Sequence, residues 1–511
     1  MNKIESYKKI FELIKPDRKY FWVCCLSGAI TGTAAPGLDQ WYFAWAGFIP
    51  LILILYFEKS LPKSATYASG FGFFYHLVYL SWFAGLHPLH WMGLNTISSI
   101  CLAAFVLMFL SFHQALSVMF FGIMTTYVLK LPYIRTLLIP AGWVLIMEII
   151  SAQGPFALPW AMISYTQYQI YSFIQLASIT GATGITYIVL LFNTIVALLL
   201  IHIIEYKKDY TSVKGKTFAG YGFLLAILAL AILMVNLYGQ KRFLSFQDDG
   251  DITVSVLQAA FPVEEFRTGR VSAEKELNTY IELILKSPEG IIVLPEGAIT
   301  SYLREPKNKD MLEILKEAAT LKESSLILGT YDRPEFGESN AVMAINPYKE
   351  SVSIYHKRFL VPFGEYTPFR EFLPGPLEDL FSLSSTRDFV EGKEAVLLDT
   401  IAGSAGALIC FEAIFPDMSK EMVNSGAEFL VNVSNLGWFH ASIVSRQFIA
   451  FCTFRAIEND RYFVVSINSG SSAIINPRGK IIALSPKNKK ALVSAKIKMM
   501  KTKTFFTEAG L

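Results

Sequence analysis

The sequence predicts two architectures in one chain, an α-helical membrane domain of about seven spans followed by an α/β domain of layered sheet and helix. Three observations predict it. Hydrophobic residues make up 53% of the 511 positions and charged residues only 17%, with a mean hydropathy of +0.41. So few charges cannot cover a globular surface of this size, and lipid must take much of it. The character of the chain changes near residue 240, from long apolar runs to short apolar runs separated by polar helical stretches. The basic residues of the first half are also distributed unevenly between its turns. These observations divide the chain into residues 1–240 and 241–500, with a tail at 501–511.

In the first half, apolar runs near 21–37, 41–57, 67–86, 96–128, 136–152, 170–204 and 217–239 read as spans; against the roughly 20 residues a bilayer requires, the first, second and fifth are short and the fourth and sixth long. Residues 1–239 hold 14 Lys and Arg. Six lie at the start (Lys3, Lys8, Lys9, Lys15, Arg18, Lys19), two follow the second run (Lys59, Lys63), two follow the fourth (Lys130, Arg135) and four follow the sixth (Lys207, Lys208, Lys214, Lys216). The turns at 85–95 and 152–169 carry none. Basic residues stay on the cytoplasmic side, so this alternation predicts a cytoplasmic N-terminus. Seven spans then deliver residue 240 onward to the outer face. The runs contain few ionisable groups, mainly His76 and His113, whereas a transporter would place charges inside its spans.

In the second half, candidate strands fall at 252–258, 290–294, 325–329, 341–346, 353–356, 405–410, 429–433, 463–467 and 472–475. Several are short, β-branched and apolar on both faces, as buried strands are. Helical patterns occupy 273–286, 309–322, 417–425 and 442–459, and the alternation implies a sheet-and-helix sandwich. The net charge of +3 does not suggest nucleic acid. There is no glycine-rich phosphate loop and no zinc-type spacing of Cys and His, so neither cofactor nor metal is expected. The five cysteines (Cys24, Cys25, Cys101, Cys410, Cys452) do not read as a disulfide framework. The charged start lacks an obvious cleavage site, which argues against a removable leader.

Three of the strands end in reactive side chains. Ile291–Leu294 leads into Glu296, Ile354–His356 into Lys357, and Ala407–Ile409 into Cys410. Loops at strand ends converge on ligands in open α/β sheets. Cys410 is the candidate nucleophile. Glu296 can take its proton, and Lys357 can hold a thiolate and stabilise a developing oxyanion. Singly, such residues are more often a packed thiol or a solvated charge, and the case rests on the three contexts occurring together in one domain. Cys452, in an apolar helix, reads as packing.

Glu, Lys and Cys in this order, each at a strand end, resemble the nitrilase (carbon–nitrogen hydrolase) superfamily. Placed behind several spans, they resemble its apolipoprotein N-acyltransferase family. The resemblance runs over nearly the whole chain: YHKRFLVPFGEYTP at 355–368, ICFEAIFP at 409–416, NVSNLGWF at 432–439, RAIENDR at 455–461 and APGLDQW at 35–41. It implies a nitrilase-like α-β-β-α sandwich. It also implies transfer of an acyl chain from a phospholipid, typically phosphatidylethanolamine, through a thioester on Cys410 to the α-amino group of a diacylglyceryl-cysteine on an apolipoprotein. Glu296 is then the general base, and Lys357 with the backbone N–H of Phe411 stabilises charge. Glu365 and Glu412 match supporting acids. Val361, Phe363, Trp438 and Phe266 fall where the acyl or head-group pocket is shaped, and 358–370 reads as an apolar lid or as a rigid surface turn. The resemblance implies a bacterial inner-membrane location with the catalytic domain periplasmic. Nothing requires more than one chain, so a monomer is expected.

Leu294 stands where the family often has Trp, and Leu436 where it has an acid. A Trp expected after Pro262 has only Phe266 nearby, and a final span is not seen before Leu511. The rival readings are a membrane-tethered nitrilase-type amidase using water as acceptor, a multi-span transporter or receptor with an inactive sensory domain, and a family member with lost or altered activity.

Overall fold

The computed structural model describes residues 15–132, 134–152, 154–208, 215–267, 271–335, 337–372, 388–440 and 442–509. These form two compact units. The first comprises residues up to 84, 100–176 and 182–241, and the second comprises 85–99, 177–181 and 242 onward.

The first unit is helical: α1 (Arg18–Gly32), α2 (Ile49–Phe57), α3 (Leu61–Tyr79), α4 (Thr96–Val128), α5 (Arg135–Ser151), α6 (Ala177–Lys208) and α7 (Gly215–Leu244). Among the described residues, three stretches, Thr96–Val128, Ala177–Lys208 and Ala219–Leu244, are long and apolar enough to cross a membrane. On α4, Phe105, Met108, Phe109, Phe112 and Phe120 lie exposed, an apolar girth that marks a membrane domain. The other helices run from 9 to 19 residues.

Small residues bring α1 against α3. A Cβ on Gly28 would stand 2.1 Å from the Phe71 carbonyl oxygen, so only glycine allows that approach. Around this contact an aromatic core forms, with the Phe48 ring centroid 4.8 Å from both Phe71 and Trp143. Asp17 caps α1 by accepting from the N–H of Lys19.

The second unit contains two sheets. One has the order β13 (Ala491–Ile497), β1 (Ile252–Gln258), β2 (Ile291–Val293), β4 (Ser325–Asp332), β5 (Ser339–Ile345), β6 (Ser353–His356), with β3 (Ile299–Tyr302) paired to β4. The other has the order β12 (Ile481–Leu484), β11 (Ala473–Ile475), β10 (Phe463–Ile467), β9 (Phe429–Ser434), β8 (Ser404–Ile409), β7 (Leu397–Asp399). The sheets meet face to face: the Ser466 hydroxyl reaches the carbonyls of Leu257 and Val293, and the Asp399 N–H donates to Ser353 Oγ.

Besides the short α8 (Val263–Arg267), helices α9 (Ala273–Lys286) and α10 (Lys309–Leu321) cover the first sheet. Helices α11 (Pro416–Asn424) and α12 (Val444–Asn459) pack on the second, and α13 (Phe505–Ala509) closes the described chain. The layering is α-β-β-α. Local sequence explains α9 well. Ser272 accepts from the Lys275 N–H at its start, and Leu277, Tyr280, Leu283 and Ile284 share its buried face.

Four strands escaped the sequence reading, at 299–302, 397–399, 481–484 and 491–497. Each is short or lies at a sheet edge, where polar residues interrupt the apolar run, as Ser494 and Lys496 do in β13. The buried central strands were read to within two or three residues.

Candidate active site

Glu296, Lys357 and Cys410 come together in the second unit because each follows a strand. Glu296 stands three residues past β2, Lys357 directly after β6, and Cys410 directly after β8. β2 runs parallel to β4, and β8 parallel to β9, so their C-terminal ends converge on one edge. The Glu296 turn lies against β4 at Gly329, where a Cβ would sit 2.5 Å from the Glu296 Cα. Cys410 adopts φ +50, an uncommon conformation for a residue with a side chain. A sharp strand-to-turn junction of this kind lifts the thiol out of the sheet, and Cys410 is half-buried while its neighbours Ile409 and Glu412 are buried.

The ionic core is dense. The Lys357 ammonium is 99% buried and lies 2.8 Å from both oxygens of Glu365 and 3.6 Å from Glu296 Oε1. Asn340 bridges the two carboxylates through one amide nitrogen, 2.7 Å from Glu296 Oε1 and 2.8 Å from Glu365 Oε1. Donation to two carboxylates fixes the amide's orientation, since carboxylates only accept. The cost is an Asn340 carbonyl oxygen buried with no hydrogen-bond partner among the described residues. The second oxygen of Glu296 accepts from the backbone N–H of Asn435 at 2.9 Å, and that of Glu365 accepts from the N–H of Val361 at 2.8 Å.

Glu412 is fully buried and accepts from the N–H groups of Ile409 (2.7 Å), Arg358 (2.7 Å) and Phe359 (3.0 Å) and from the Tyr355 hydroxyl (3.0 Å). It thereby ties the residue before Cys410 to the residues after Lys357.

These contacts set the resting protonation states. Burial raises the Glu296 carboxyl above its ordinary range, partly countered by the Lys357 charge. Burial also pushes the Cys410 thiol up, the Glu296 charge pushes it further, and Lys357 opposes both. For Lys357, burial disfavours the charge, but the carboxylates of Glu365 and Glu296 outweigh it and hold the ammonium well above its usual range. Burial and the Glu296 charge thus favour the neutral Cys410 thiol, and the Lys357 charge favours the thiolate.

Among the other predicted residues, Phe411 follows the thiol and its ring packs with Phe359 and Phe415. Val361 and Phe363 lie in a turn closed by N–H donation from Phe363 to the Tyr366 carbonyl and from Glu365 to the Val361 carbonyl. Residues 361–366 are thus a tightly bonded turn folded onto Glu365. The exposed aromatic stretch begins only at Phe369 and Phe372, 55% and 82% exposed. Trp438 lies on the loop after β9, three residues beyond Asn435. The side chain of Phe266 lies outside the described residues.

The sequence reading missed Asn340 and the Asn435 N–H. Asn340 lies one residue before the strand predicted at 341–346, and only the observed strand Ser339–Ile345 takes it in. Asn435 acts through its backbone, which leaves no trace in side-chain identity.

A thiol, a carboxylate and a lysine gathered at strand ends of an α-β-β-α sandwich place the second unit in the carbon–nitrogen hydrolase class. The "Carbon-nitrogen hydrolase" family model matches residues 274–505, and the "Apolipoprotein N-acyltransferase N-terminal domain" model matches 27–195. Apolipoprotein N-acyltransferases of Geobacter metallireducens and Chlorobaculum tepidum are 28% and 27% identical, each over 96% of this chain and 92% of the relative. The chain belongs to the apolipoprotein N-acyltransferase family, a membrane-bound branch of that class. Among solved structures, Saccharomyces cerevisiae Nit3 is 17% identical with a TM-score of 0.37, covering 49% of this chain and 90% of its own.

Proposed function

We propose that this protein transfers an acyl chain from a phospholipid, through a thioester on Cys410, to the N-terminal amine of a diacylated apolipoprotein. The observation that carries this reading is the convergence of Cys410, Glu296 and Lys357 in a chain that also has a membrane domain.

In the first half-reaction the Cys410 proton passes to Glu296 as the sulfur attacks the ester carbonyl. The tetrahedral oxyanion forms beside the Lys357 ammonium and the Phe411 N–H. Collapse breaks the ester C–O bond. Glu296 returns its proton to the leaving oxygen, and a lysophospholipid departs. In the second half-reaction the α-amine attacks the thioester carbonyl, Glu296 takes a proton from the nitrogen, and the C–S bond breaks. That proton returns to the sulfur, leaving an amide and a free thiol.

Glu365 and Asn340 hold Lys357 and Glu296 at fixed separation. Glu412 holds both segments that carry the reacting groups. Trp438, Val361, Phe363 and Phe266 shape the pocket. Phosphatidylethanolamine is the expected donor and a single chain the working unit. The alternation of basic residues supports seven spans, a cytoplasmic N-terminus and a catalytic domain on the outer face of a bacterial inner membrane.

The test is purified full-length protein in detergent with acyl-labelled phosphatidylethanolamine and a diacylated lipopeptide. Label should pass to the peptide amine only when both substrates are present and Cys410 is intact. Label released solely as free fatty acid, or turnover confined to small amides, would contradict the proposal.

A further inference from the structure

Between two apolar helices of the first unit, the chain contributes residues 85–99 to the second. This segment meets the loop that follows β9. His440 joins them: its Nδ1 donates to the Gly85 carbonyl oxygen at 2.8 Å, and its Nε2 lies 2.8 Å from Glu264 Oε1 on α8. One imidazole thus links three segments far apart in sequence.

Two further observations show that this junction is built. His440 adopts φ +44, ψ −135, a region in which glycine is the natural occupant, yet a side chain is present and both its nitrogens are engaged. On the facing segment a Cβ at Gly85 would stand 2.2 Å from the Phe439 carbonyl oxygen, so the two backbones touch only because residue 85 is glycine. The junction also closes an aromatic pair, Trp91 from the segment and Trp438 from the loop, with ring centroids 5.6 Å apart at 64°. The same loop begins at Asn435, whose N–H holds Glu296.

We propose that His440 is a positioning residue that pins the 435–440 loop to residues 85–99 and α8, so that Trp91 and Trp438 stand as one wall of the lipid-donor pocket. This rests on the acyl-transfer reading above. The consequence is a split between binding and chemistry. Asn435 keeps its own supports without His440, because its side chain accepts from the Gly437 N–H and the adjoining Ser434 carbonyl accepts from the Asn468 N–H. Loss of His440 therefore releases the tryptophan wall while Glu296 stays in place.

The experiment measures thioester formation with labelled phosphatidylethanolamine on full-length wild type, His440→Gly, Glu264→Ala and the double variant. Glycine suits the backbone at 440, so His440→Gly removes the bonds without adding strain. Its KM for the donor should rise about tenfold, with kcat changed by less than about threefold. Glu264→Ala should move KM the same way, and the double variant should be no worse than His440→Gly, because both changes break one linkage.

Wild-type KM in folded His440→Gly, a fall in kcat at constant KM, or additive effects in the double variant would overturn the assignment. If His440→Gly does not fold, Glu264→Ala alone decides by the same KM criterion. A wild-type protein that forms no thioester would refute the acyl-transfer reading itself. An active wild type with insensitive variants would refute only the role of His440.

Discussion

The helical unit and the sheet unit bury polar groups by opposite means. In the helices, buried hydroxyls and imidazoles bond mostly to the carbonyl one turn back: Thr31 to Ser27, Thr126 to Gly122, Thr194 to Leu190, His76 to Gly72 and His202 to Leu198. Each contact closes within its own helix. In the sheet unit, buried polar groups reach across the fold, as Glu296 does to Asn340 and Asn435, and Glu412 to Tyr355, Arg358 and Phe359. The buried charges also concentrate there, with Lys357, Glu365 and Glu412 at the site and the fully buried Arg455–Glu458 pair beneath it. A helix in lipid satisfies its own backbone and loses little by bonding locally. A site that must hold charges for chemistry relies on distant segments to place them, and each distant contact is a point of failure.

This contrast can be broken by substitution. The largest effect should come from the reacting groups: Glu296→Gln should lower the rate of thioester formation by about 10²–10⁴-fold while the fold survives, as judged by an unchanged thermal midpoint.

Next come the long-range contacts. Glu412→Ala strands three N–H groups and a hydroxyl, and should destabilise the catalytic unit by about 3–5 kcal/mol in denaturant titration. By contrast, Thr126→Val removes a hydroxyl bonded only within its own helix, and should cost less than about 1 kcal/mol. Equal costs at these two positions would remove the distinction between the units.

A smaller effect lies in pH. Glu296 must be ionised to act, and burial raises its pKa, so the rate of the first half-reaction should fall as pH drops through a value above the ordinary carboxylate figure of about 4.3. An acid limb at or below that figure would show that burial does not tune the base.

The smallest concerns Glu276, buried on α9 and bonded to Thr300, whose carboxyl burial pushes up to about 7. The folded state binds this proton more tightly than the unfolded state. The contribution is therefore fully present below the unfolded value and is lost as pH rises through about 7. Glu276→Gln should raise the thermal midpoint at pH ~8 relative to wild type and change it little at pH ~4.

The comparison also explains what was legible in the sequence. Local determinants were readable: apolar runs, basic turns, the amphipathic face of α9, and the strand ends at Glu296, Lys357 and Cys410. Whatever depends on distant partners was not. Asn340 falls just before the strand predicted at 341–346, and its meaning exists only once β5 lies beside the Glu296 turn. Val361 reads as an apolar wall, yet its N–H is what holds Glu365. Trp438 was noticed, but its partner Trp91 sits some 350 residues earlier in a turn that reads as a plain connection between spans. Residues 358–370 read as one lid or one turn because proline, glycine and phenylalanine suit both. The hydrogen bonds at 361–366 make the first part a fixed turn and leave Phe369 and Phe372 as its exposed edge.

The central claim is that Cys410 carries the acyl chain. Intact-protein mass spectrometry after incubation with a phospholipid of defined chains tests it most directly. The account predicts a single acyl-sized mass increase that maps to Cys410, disappears with neutral hydroxylamine and is absent in Cys410→Ala. An adduct on another residue, or acyl transfer by Cys410→Ala, would contradict it.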